Sequence, residues 1–393
     1  MKRRYSGTPR ETIPLRVLDF FVDLYAFLFY KRRKIEPIAP NPVVLVASLG
    51  HLGDALTVSY LFPIIKAHYP QATIDTLSPT WCNIINENNP FVRQNICIDH
   101  FLSNRSNVSR WQKIKQFYQT IRSALPLLRQ QHYDFYIDVR TSDSVSHFIL
   151  PFINVKKAIG YNRRGLGGLL DVELEYPDEF VPFHHFDTYT ALLKEIGVAS
   201  NLEELKPYFP IASTIDDTSI NSKLGGQWHH KYILVFPEAG EERRQLSVGF
   251  WEKMLSEVLT MTDYQIIFCG QTSLSAQIIA SLAGFDTARF LDTSGKLSIP
   301  ELAFLAQKAQ FAFALDSFPV HLCCIFCRTI TFFKGTGISF FPIANHQVLL
   351  FHSHLPSKDL LFVRKNVKII YQQEIESDFV RYEILKRLEG YDI

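Results

Sequence analysis

One short segment combines the residue types of a ligand site. Val43–Ala47 is a β-branched apolar run that predicts a buried strand, and Ser48–Asp54 follows with two glycines and a carboxylate. A strand, a glycine turn and a helix build the ligand sites of open α/β sheets. Asp54 is therefore either a cap for the helix predicted from Ala55 or a catalytic base. The spacing alone favours the cap, although a carboxylate with an ordinary pKa of about 4 is already ionised at neutral pH.

A second segment has the features of a phosphate site. Phe311–Leu315 predicts a strand, and Pro319–Cys327 predicts the helix that follows Asp316 and Ser317. The first amides and the dipole of such a helix attract a phosphate group placed beyond the strand. The sequence contains neither a Walker loop nor an Asp-x-Asp motif, so we expect no metal-bound diphosphate.

Repeated alternation of short apolar runs and amphipathic runs predicts how these segments are positioned. It runs from residue 42 to about 200, stops at an irregular polar stretch over 199–229, and then resumes. We expect two doubly wound parallel sheets and three parts: an extension (1–41), a first domain (42–210) and a second domain with C-terminal helices (211–393). The predicted strands are 43–47, 72–77, 96–98, 133–139, 157–160, 232–236, 265–269, 290–292, 311–315 and 329–333, the last clear one.

Composition narrows the class of protein. The chain has 393 residues, 47% of them hydrophobic and 20% charged, as expected for a globular protein with more than one core. Its six cysteines have no regular spacing, and Cys323, Cys324 and Cys327 lie in an apolar helix where we expect buried thiols, not metal ligands. A reducing cytoplasm fits this pattern best.

The N-terminal segment carries an unusual charge. Residues 1–35 hold nine Lys and Arg against three acids, a net charge of +6, which leaves −4 for the rest of the chain. Residues 13–30 are rich in aromatic residues but are interrupted by Arg16, Asp19 and Asp23, so they are too short and too charged to span a membrane. Followed by Lys31–Lys34, they predict either a helix lying on anionic lipid or a helix packed on its own domain or an oligomer partner.

Several motifs occur in order between roughly residues 42 and 345. They are Gly50–Leu56, Tyr133–Asp138, Ile159–Gly165, His185–Tyr189, Phe236–Arg244 and Leu315–Leu322. Together they resemble glycosyltransferase family nine, the heptosyltransferases of lipopolysaccharide core assembly, which have the GT-B fold. It implies two Rossmann-like domains facing a cleft and an inverting, metal-independent transfer from a nucleotide-diphosphate sugar, with ADP-heptose favoured and no cofactor.

The resemblance also implies roles for individual residues. The family's base stands at Asp54, presented to the acceptor by Gly50, His51 and Gly53. If the acceptor is the anionic inner core of lipopolysaccharide, Arg140, Arg163 and Arg164 are candidate clamps for its acidic groups. On the donor side the implied residues are Gly240, Arg244 or its neighbour Arg243, Asp316, Ser317, Phe318 and His321.

Departures from the family pattern leave the substrate open. Phe318 stands where the family usually has glycine, and Lys334 begins the segment that replaces the usual Gly-Pro-Thr turn. The leading hypothesis is heptose transfer to a lipopolysaccharide core or related surface glycan, in the cytoplasm or on the cytoplasmic face of the inner membrane, without nucleic acid. The alternatives are the same transfer to a capsule or protein acceptor, or a non-catalytic scaffold that binds sugar nucleotides.

Overall fold

The chain forms two compact units, Met1–Glu204 and Leu205–Ile393. A computed structural model of the protein describes residues 9–30, 37–141, 145–161, 165–176, 184–199, 205–225, 231–271, 273–334, 338–353 and 366–390. Each unit is built on one sheet whose neighbouring strands are all parallel. This confirms the predicted doubly wound α/β class.

The sheet of the N-terminal unit has six strands in the order β3-β2-β1-β4-β5-β6. They are β1 Val43–Ala47, β2 Thr73–Ser78, β3 Val92–Cys97, β4 His132–Asp138, β5 Asn154–Tyr161 and β6 Val172–Leu174. Strand β1 is central and pairs with both β2 and β4, so that Ala47 is in register with Asp138. From β1 the chain adds β2 and β3 on one side and then β4, β5 and β6 on the other. In open α/β sheets a crevice for ligands forms where the strand order reverses in this way, here beyond the carboxyl ends of β1 and β4.

Helices cover this sheet and connect its strands. They are α1 Pro9–Tyr25, which continues as the π-helical turn Ala26–Tyr30, α2 Leu52–Ser59, α3 Leu61–His68, α4 Asn83–Asn86, α5 Arg110–Arg129 and α6 His185–Lys194. The helix after β1 begins at Leu52 and not at the predicted Ala55. The apolar pattern, on which the prediction was based, starts about one turn after the helical backbone does. It breaks at Tyr60, since Pro63 cannot donate to the carbonyl of Ser59.

The C-terminal unit repeats the arrangement with seven strands in the order β13-β12-β11-β10-β7-β8-β9. They are β7 Tyr232–Phe236, β8 Gln265–Phe268, β9 Phe290–Asp292, β10 Ala312–Leu315, β11 Thr329–Phe333, β12 Val348–His352 and β13 Val367–Tyr371. The prediction that 329–333 is the last clear strand was wrong. Val348–His352 is fully buried, as its apolar sequence would suggest, and β13 carries an exposed Lys368 at the edge.

The helices of the C-terminal unit are α7 Asp217–Lys223, α8 Val248–Met261, α9 Leu274–Ser281, α10 Ile299–Lys308, α11 Phe318–Phe326 and α12 Asp378–Gly390. The side chains of β7 alternate between two cores on opposite faces of the sheet, with Tyr232 and Leu234 in one and Ile233 and Val235 in the other. The thiols of Cys323, Cys324 and Cys327 are buried in the first of these cores, as predicted.

Helix α1 packs on its own unit along one side only. Its continuation places Ala26 and Tyr30 in the core of the N-terminal unit, while most of its large apolar side chains are exposed. Within the described part of the chain, no helix has the length and apolar character needed to cross a membrane.

A buried carboxylate ties strands β2, β3 and β4 of the N-terminal unit together. Asp75 in β2 is fully buried and accepts hydrogen bonds from Arg93 Nε (2.9 Å) and Nη2 (2.6 Å) and from Tyr133 Oη in β4 (2.9 Å). Removing one member of a buried, hydrogen-bonded charge pair leaves the other groups without compensation, which is costly.

We therefore expect Asp75→Ala to lower the free energy of unfolding by about 3 kcal/mol, near the low end for a buried pair because Arg93 is 40% exposed. Urea denaturation followed by circular dichroism measures the loss. Glu195→Ala is the control, since its long 3.9 Å pair with Lys157 is partly solvated and is worth at most about 1 kcal/mol. Equal losses in the two variants would contradict the assigned role of Asp75.

Candidate active site

Asp54 lies in the first turn of α2, directly beyond the carboxyl end of β1. Its carboxylate accepts a hydrogen bond from the backbone N–H of His51 at 2.8 Å and so caps the helix. The same side chain is 38% exposed, which leaves it accessible to a ligand. The two roles considered for Asp54 are thus compatible, because capping uses one face of the carboxylate.

Arg140 reaches Asp54 from the neighbouring strand. It lies two residues beyond the end of β4, and its Nη1 is 3.4 Å from Asp54 Oδ2. The sequence suggested Arg140 only as an acceptor clamp. The structure pairs it with the candidate base, a contact between residues 86 positions apart that follows from the pairing of β1 with β4.

A buried polar group beneath the loop fixes the backbone of Arg140. Asp138 Oδ1 accepts the backbone N–H of Arg140 at 2.9 Å. Asp138 Oδ2 accepts the hydroxyl of Ser146 and lies 2.7 Å from His147 Nε2, and all three side chains are buried. None of the three was a predicted site residue, although Asp138 ends a motif that carried the resemblance. The carboxylate at the end of an apolar strand was the available signal.

Gly50 is the residue that lets Asp54 and Arg140 meet. A Cβ at this position would collide with Arg140 Nη1 and with the Asp54 carboxylate. The carbonyl of Gly50 also accepts a hydrogen bond from Trp81 Nε1 at 3.0 Å, which holds the turn against the segment after β2. Gly53 lies inside α2, where its carbonyl accepts the hydroxyl of Thr57 at 3.1 Å.

The surroundings of Asp54 favour its charged form. Burial opposes ionisation, but the Arg140 guanidinium and the His51 amide outweigh it and hold the pKa of Asp54 below its ordinary value. The carboxylate is therefore ionised at neutral pH and able to accept a proton.

Two residues of α6 lie within electrostatic reach of the Asp54 carboxylate and were not predicted as site residues. His185 Nε2 is 3.0 Å from Tyr189 Oη. Burial lowers the pKa of His185 to about 4 against the opposing charge of Asp54, so the imidazole is neutral at neutral pH. Burial and the same charge raise the pKa of Tyr189. The motif His185–Tyr189 was recognised in the sequence, but its place beside Asp54 depends on how α6 packs on the sheet.

The predicted donor residues surround the carboxyl ends of β7 and β10 in the C-terminal unit. Asp316 is buried at the end of β10, and Arg244 Nη1 lies 3.4 Å from both its backbone carbonyl oxygen and its Oδ2. Both arginines pair with Glu241, Arg244 at 3.1 Å and Arg243 at 2.6 Å, but Arg244 is 24% exposed whereas Arg243 is 68% exposed. Of the two arginines, Arg244 is the one that the structure brings to Asp316.

Helix α11 begins immediately after Asp316 without a side-chain cap. Ser317 has extended backbone geometry at the N-cap position, and among the described residues its buried hydroxyl has no hydrogen-bond partner. Phe318 and Pro319 open the helix, so Phe318 supplies the first helical amide and Pro319 has none. His321 lies one turn further along α11. Gly240 is exposed in the loop after β7.

Lys334 stabilises the segment that follows Arg244. Its Nζ donates to the carbonyl of Gln245 at 3.3 Å and pairs with Glu376 Oε1 at 2.7 Å. Glu376 in turn accepts the backbone N–H of Ser247 at 3.1 Å. The residue that departs from the family's usual turn therefore anchors the segment that follows Arg244.

The other predicted site residues lie either beside Asp54 or outside the described part of the chain. Arg163 and Arg164 lie outside the described residues. His51 and Gly53 are half-buried beside Asp54. Across the described ranges, no group of three or more His, Cys, Asp or Glu side chains could hold a metal ion.

Comparisons with solved structures place the fold among known glycosyltransferases. A family 9 glycosyltransferase from Veillonella parvula aligns with a TM-score of 0.68 at 12% identity, covering 91% of this chain and 98% of that one. E. coli ADP-heptose lps heptosyltransferase II aligns with 0.61 at 16% identity, over 88% and 97%. E. coli heptosyltransferase WaaC with ADP aligns with 0.62 at 13% identity, over 88% and 99%. At these identities the likeness concerns the fold, and it confirms the predicted GT-B class.

Sequence comparison identifies the family. No curated protein matches the chain. The family model described as glycosyltransferase family 9 (heptosyltransferase) matches residues 121–367, which is well over half of the chain and spans residues of both units. The protein therefore belongs to glycosyltransferase family 9.

Proposed function

We propose that the protein is an inverting glycosyltransferase that moves a sugar from a nucleotide-diphosphate sugar to a hydroxyl of a lipopolysaccharide core or related surface glycan. Heptose carried by ADP is the favoured donor, by analogy with the E. coli ADP-heptose heptosyltransferase whose fold this chain shares. The observation that carries the proposal is the ionised, accessible Asp54 carboxylate at the carboxyl end of β1, in a chain of this family.

In the proposed reaction the acceptor hydroxyl attacks the anomeric carbon of the donor sugar. The bond from that carbon to the diphosphate oxygen breaks, the nucleoside diphosphate leaves with the electron pair, and Asp54 takes the hydroxyl proton. Attack from the face opposite the leaving group inverts the anomeric configuration. Holding the carboxylate by the His51 amide and Arg140 keeps it in one orientation and ionised.

Support for the departing diphosphate would come from the C-terminal unit. Arg244 supplies a fixed positive charge next to Asp316, and the uncapped start of α11 supplies an amide and the positive end of a dipole. These groups do the electrostatic work that a divalent cation does in other transferases, so we propose that the reaction needs no metal and no cofactor. Asp316 would accept hydrogen bonds from hydroxyls of the donor sugar, with Gly240, Ser317, Phe318 and His321 around it.

We place the acceptor on the N-terminal unit and the reaction in the cytoplasm, at the inner face of the membrane that carries a glycolipid acceptor. Six cysteines without a disulfide suit a reducing compartment. Arg163 and Arg164 remain candidate clamps for acidic groups of the acceptor.

The Asp54 assignment predicts a large loss of catalysis without loss of donor binding. Asp54→Asn keeps the size of the side chain but cannot take a proton, so transfer should fall by about 10²- to 10⁴-fold. Asp187→Asn is the matched control, because Asp187 occupies the same capping position in α6 and accepts the His184 N–H at 2.7 Å. Product formation with a nucleotide-sugar panel measures transfer, and isothermal titration measures donor binding. Transfer by Asp54→Asn at the control's rate would refute the base.

The environment of Asp54 also predicts a pH effect. Transfer requires the ionised carboxylate, so kcat/KM falls as pH drops through the pKa of Asp54, which Arg140 lowers. Arg140→Gln removes the positive charge that lowers the pKa of Asp54, so the acid limb of the profile should move to higher pH. Arg140→Lys keeps a positive charge and should keep the limb close to its original position. Identical profiles for the Gln and Lys variants would argue against electrostatic coupling of this pair.

The two donor-loop arginines should differ in their effect on diphosphate binding. Arg244→Gln should weaken binding of a nucleoside diphosphate by about 1.5–3 kcal/mol, roughly 10- to 150-fold in Kd. Arg243→Gln, an exposed neighbour paired with Glu241, should cost at most about 1 kcal/mol. Calorimetric titrations with ADP, and with adenosine as the ligand lacking phosphate, separate a phosphate effect from a general one. Equal losses in both variants would overturn the preference for Arg244.

A further inference from the structure

The outer side of α1 and its π-helical turn carries nine exposed, large apolar side chains, together with the exposed Arg16. Every large apolar side chain on it is between 43% and 74% exposed. We call this surface the α1 apolar face. Its members are Ile13, Val17, Leu18, Phe20, Phe21, Leu24, Tyr25, Phe27 and Phe29. So many exposed apolar side chains on one element mark an interaction surface, not an ordinary solvent-facing helix.

The inner side of the same helix combines the apolar Val22, Ala26 and Tyr30 with two carboxylates, which are unusual on the packed side of a surface helix. Asp19 is only 2% exposed, and its Oδ1 accepts the backbone N–H of Leu166. Asp23 packs against Gly168, where a Cβ would collide with its carboxylate. Gly165 has a φ of +97° and approaches Asp19 so closely that a Cβ would lie 2.9 Å from Oδ1. The carboxylates thus dock α1 on the Gly165–Leu169 segment with its apolar face outwards.

The charge of the flanking sequence indicates what lies against this face. Lys2, Arg3, Arg4 and Arg10 precede it or stand at its start, and Lys31–Lys34 follow it, giving residues 1–35 a net charge of +6. A second copy of the chain would bring two such charges together, which is unfavourable. An anionic bilayer offers acyl chains to the aromatic side chains and negative headgroups to the flanking bases.

We propose that the α1 apolar face lies in the interface of an anionic membrane, with α1 parallel to its surface. The Asp19 and Asp23 contacts attach the helix to the N-terminal unit, so the unit itself is held at the membrane. The docked segment begins at Gly165, directly after the candidate acceptor residues Arg163 and Arg164 in the chain. Membrane contact and the proposed acceptor segment are therefore adjacent in sequence.

Vesicle flotation of the full-length protein tests the proposal without any substrate. Vesicles of phosphatidylcholine with phosphatidylglycerol should bind the protein, vesicles of phosphatidylcholine alone should bind it at least tenfold less, and high salt should release part of the bound protein. Phe20→Ser with Phe27→Ser should reduce binding to anionic vesicles at least tenfold. The control is Phe379→Ser with Tyr382→Ser, which removes two exposed aromatic side chains from α12 and should leave binding unchanged.

Circular dichroism and thermal melts check that both double variants fold, which is expected because all four side chains are exposed. Absent binding to anionic vesicles, or equal binding by the two double variants, would overturn the proposal. Sedimentation that reveals a dimer lost only in Phe20→Ser/Phe27→Ser would overturn it too, by assigning the face to a second copy. None of these outcomes depends on transfer, so failure here is distinct from failure of the proposed glycosyltransferase.

Discussion

The contact between Asp54 and Arg140 depends on the missing side chain of Gly50. Both side chains occupy space that a Cβ would fill, and they come from the segments that follow two strands paired in register through Ala47 and Asp138. The buried Asp138 then fixes the Arg140 backbone through its amide. The candidate base is thus positioned by sheet order, strand register and one glycine, and a change in any of these would disturb the distance from Asp54 to its cation.

Each unit has its own crevice beyond the carboxyl ends of its strands, and the helices that begin there differ in their first turn. Helix α2 begins beyond β1 with its N-terminus occupied by its own Asp54 carboxylate, whereas α11 begins beyond β10 without a side-chain cap. A capped helix end has less to offer an anionic ligand, while an uncapped one retains an amide and its dipole. This difference is the physical reason for assigning acceptor activation to the first unit and the diphosphate to the second. In the proposed function the glycine turn before α2 positions a carboxylate, and the phosphate is assigned to the second unit.

Elements with strong local signals were predictable, and contacts between distant residues were not. The strands at Val43, Tyr232, Phe290 and Thr329 match their predicted bounds because apolar runs end at clear turns. Strands β6, β12 and β13 were not predicted, because β6 is short and the alternation of apolar and amphipathic runs is less pronounced after Phe333. Arg140 was predicted as a site residue for a different partner, since nothing local connects it to Asp54. His185 and Tyr189 were not predicted as site residues, because their place beside Asp54 requires α6 to be packed on the sheet.

Helix α1 illustrates a further limit of apolar patterns. Its sequence fitted both a lipid-facing helix and one packed on its own domain, because a pattern states which residues are apolar but not which side faces inwards. In the structure the inner side holds carboxylates, which lose hydration on burial and are retained only where groups such as the Leu166 amide compensate them. Turning the helix over would bury the phenylalanines and hydrate the carboxylates, which the hydrophobic effect favours for a chain surrounded only by water. The contacts of Asp19 with Gly165 and of Asp23 with Gly168 hold the helix in the opposite orientation. Exposed phenylalanines are favourable there if the outer side of the helix contacts an apolar phase.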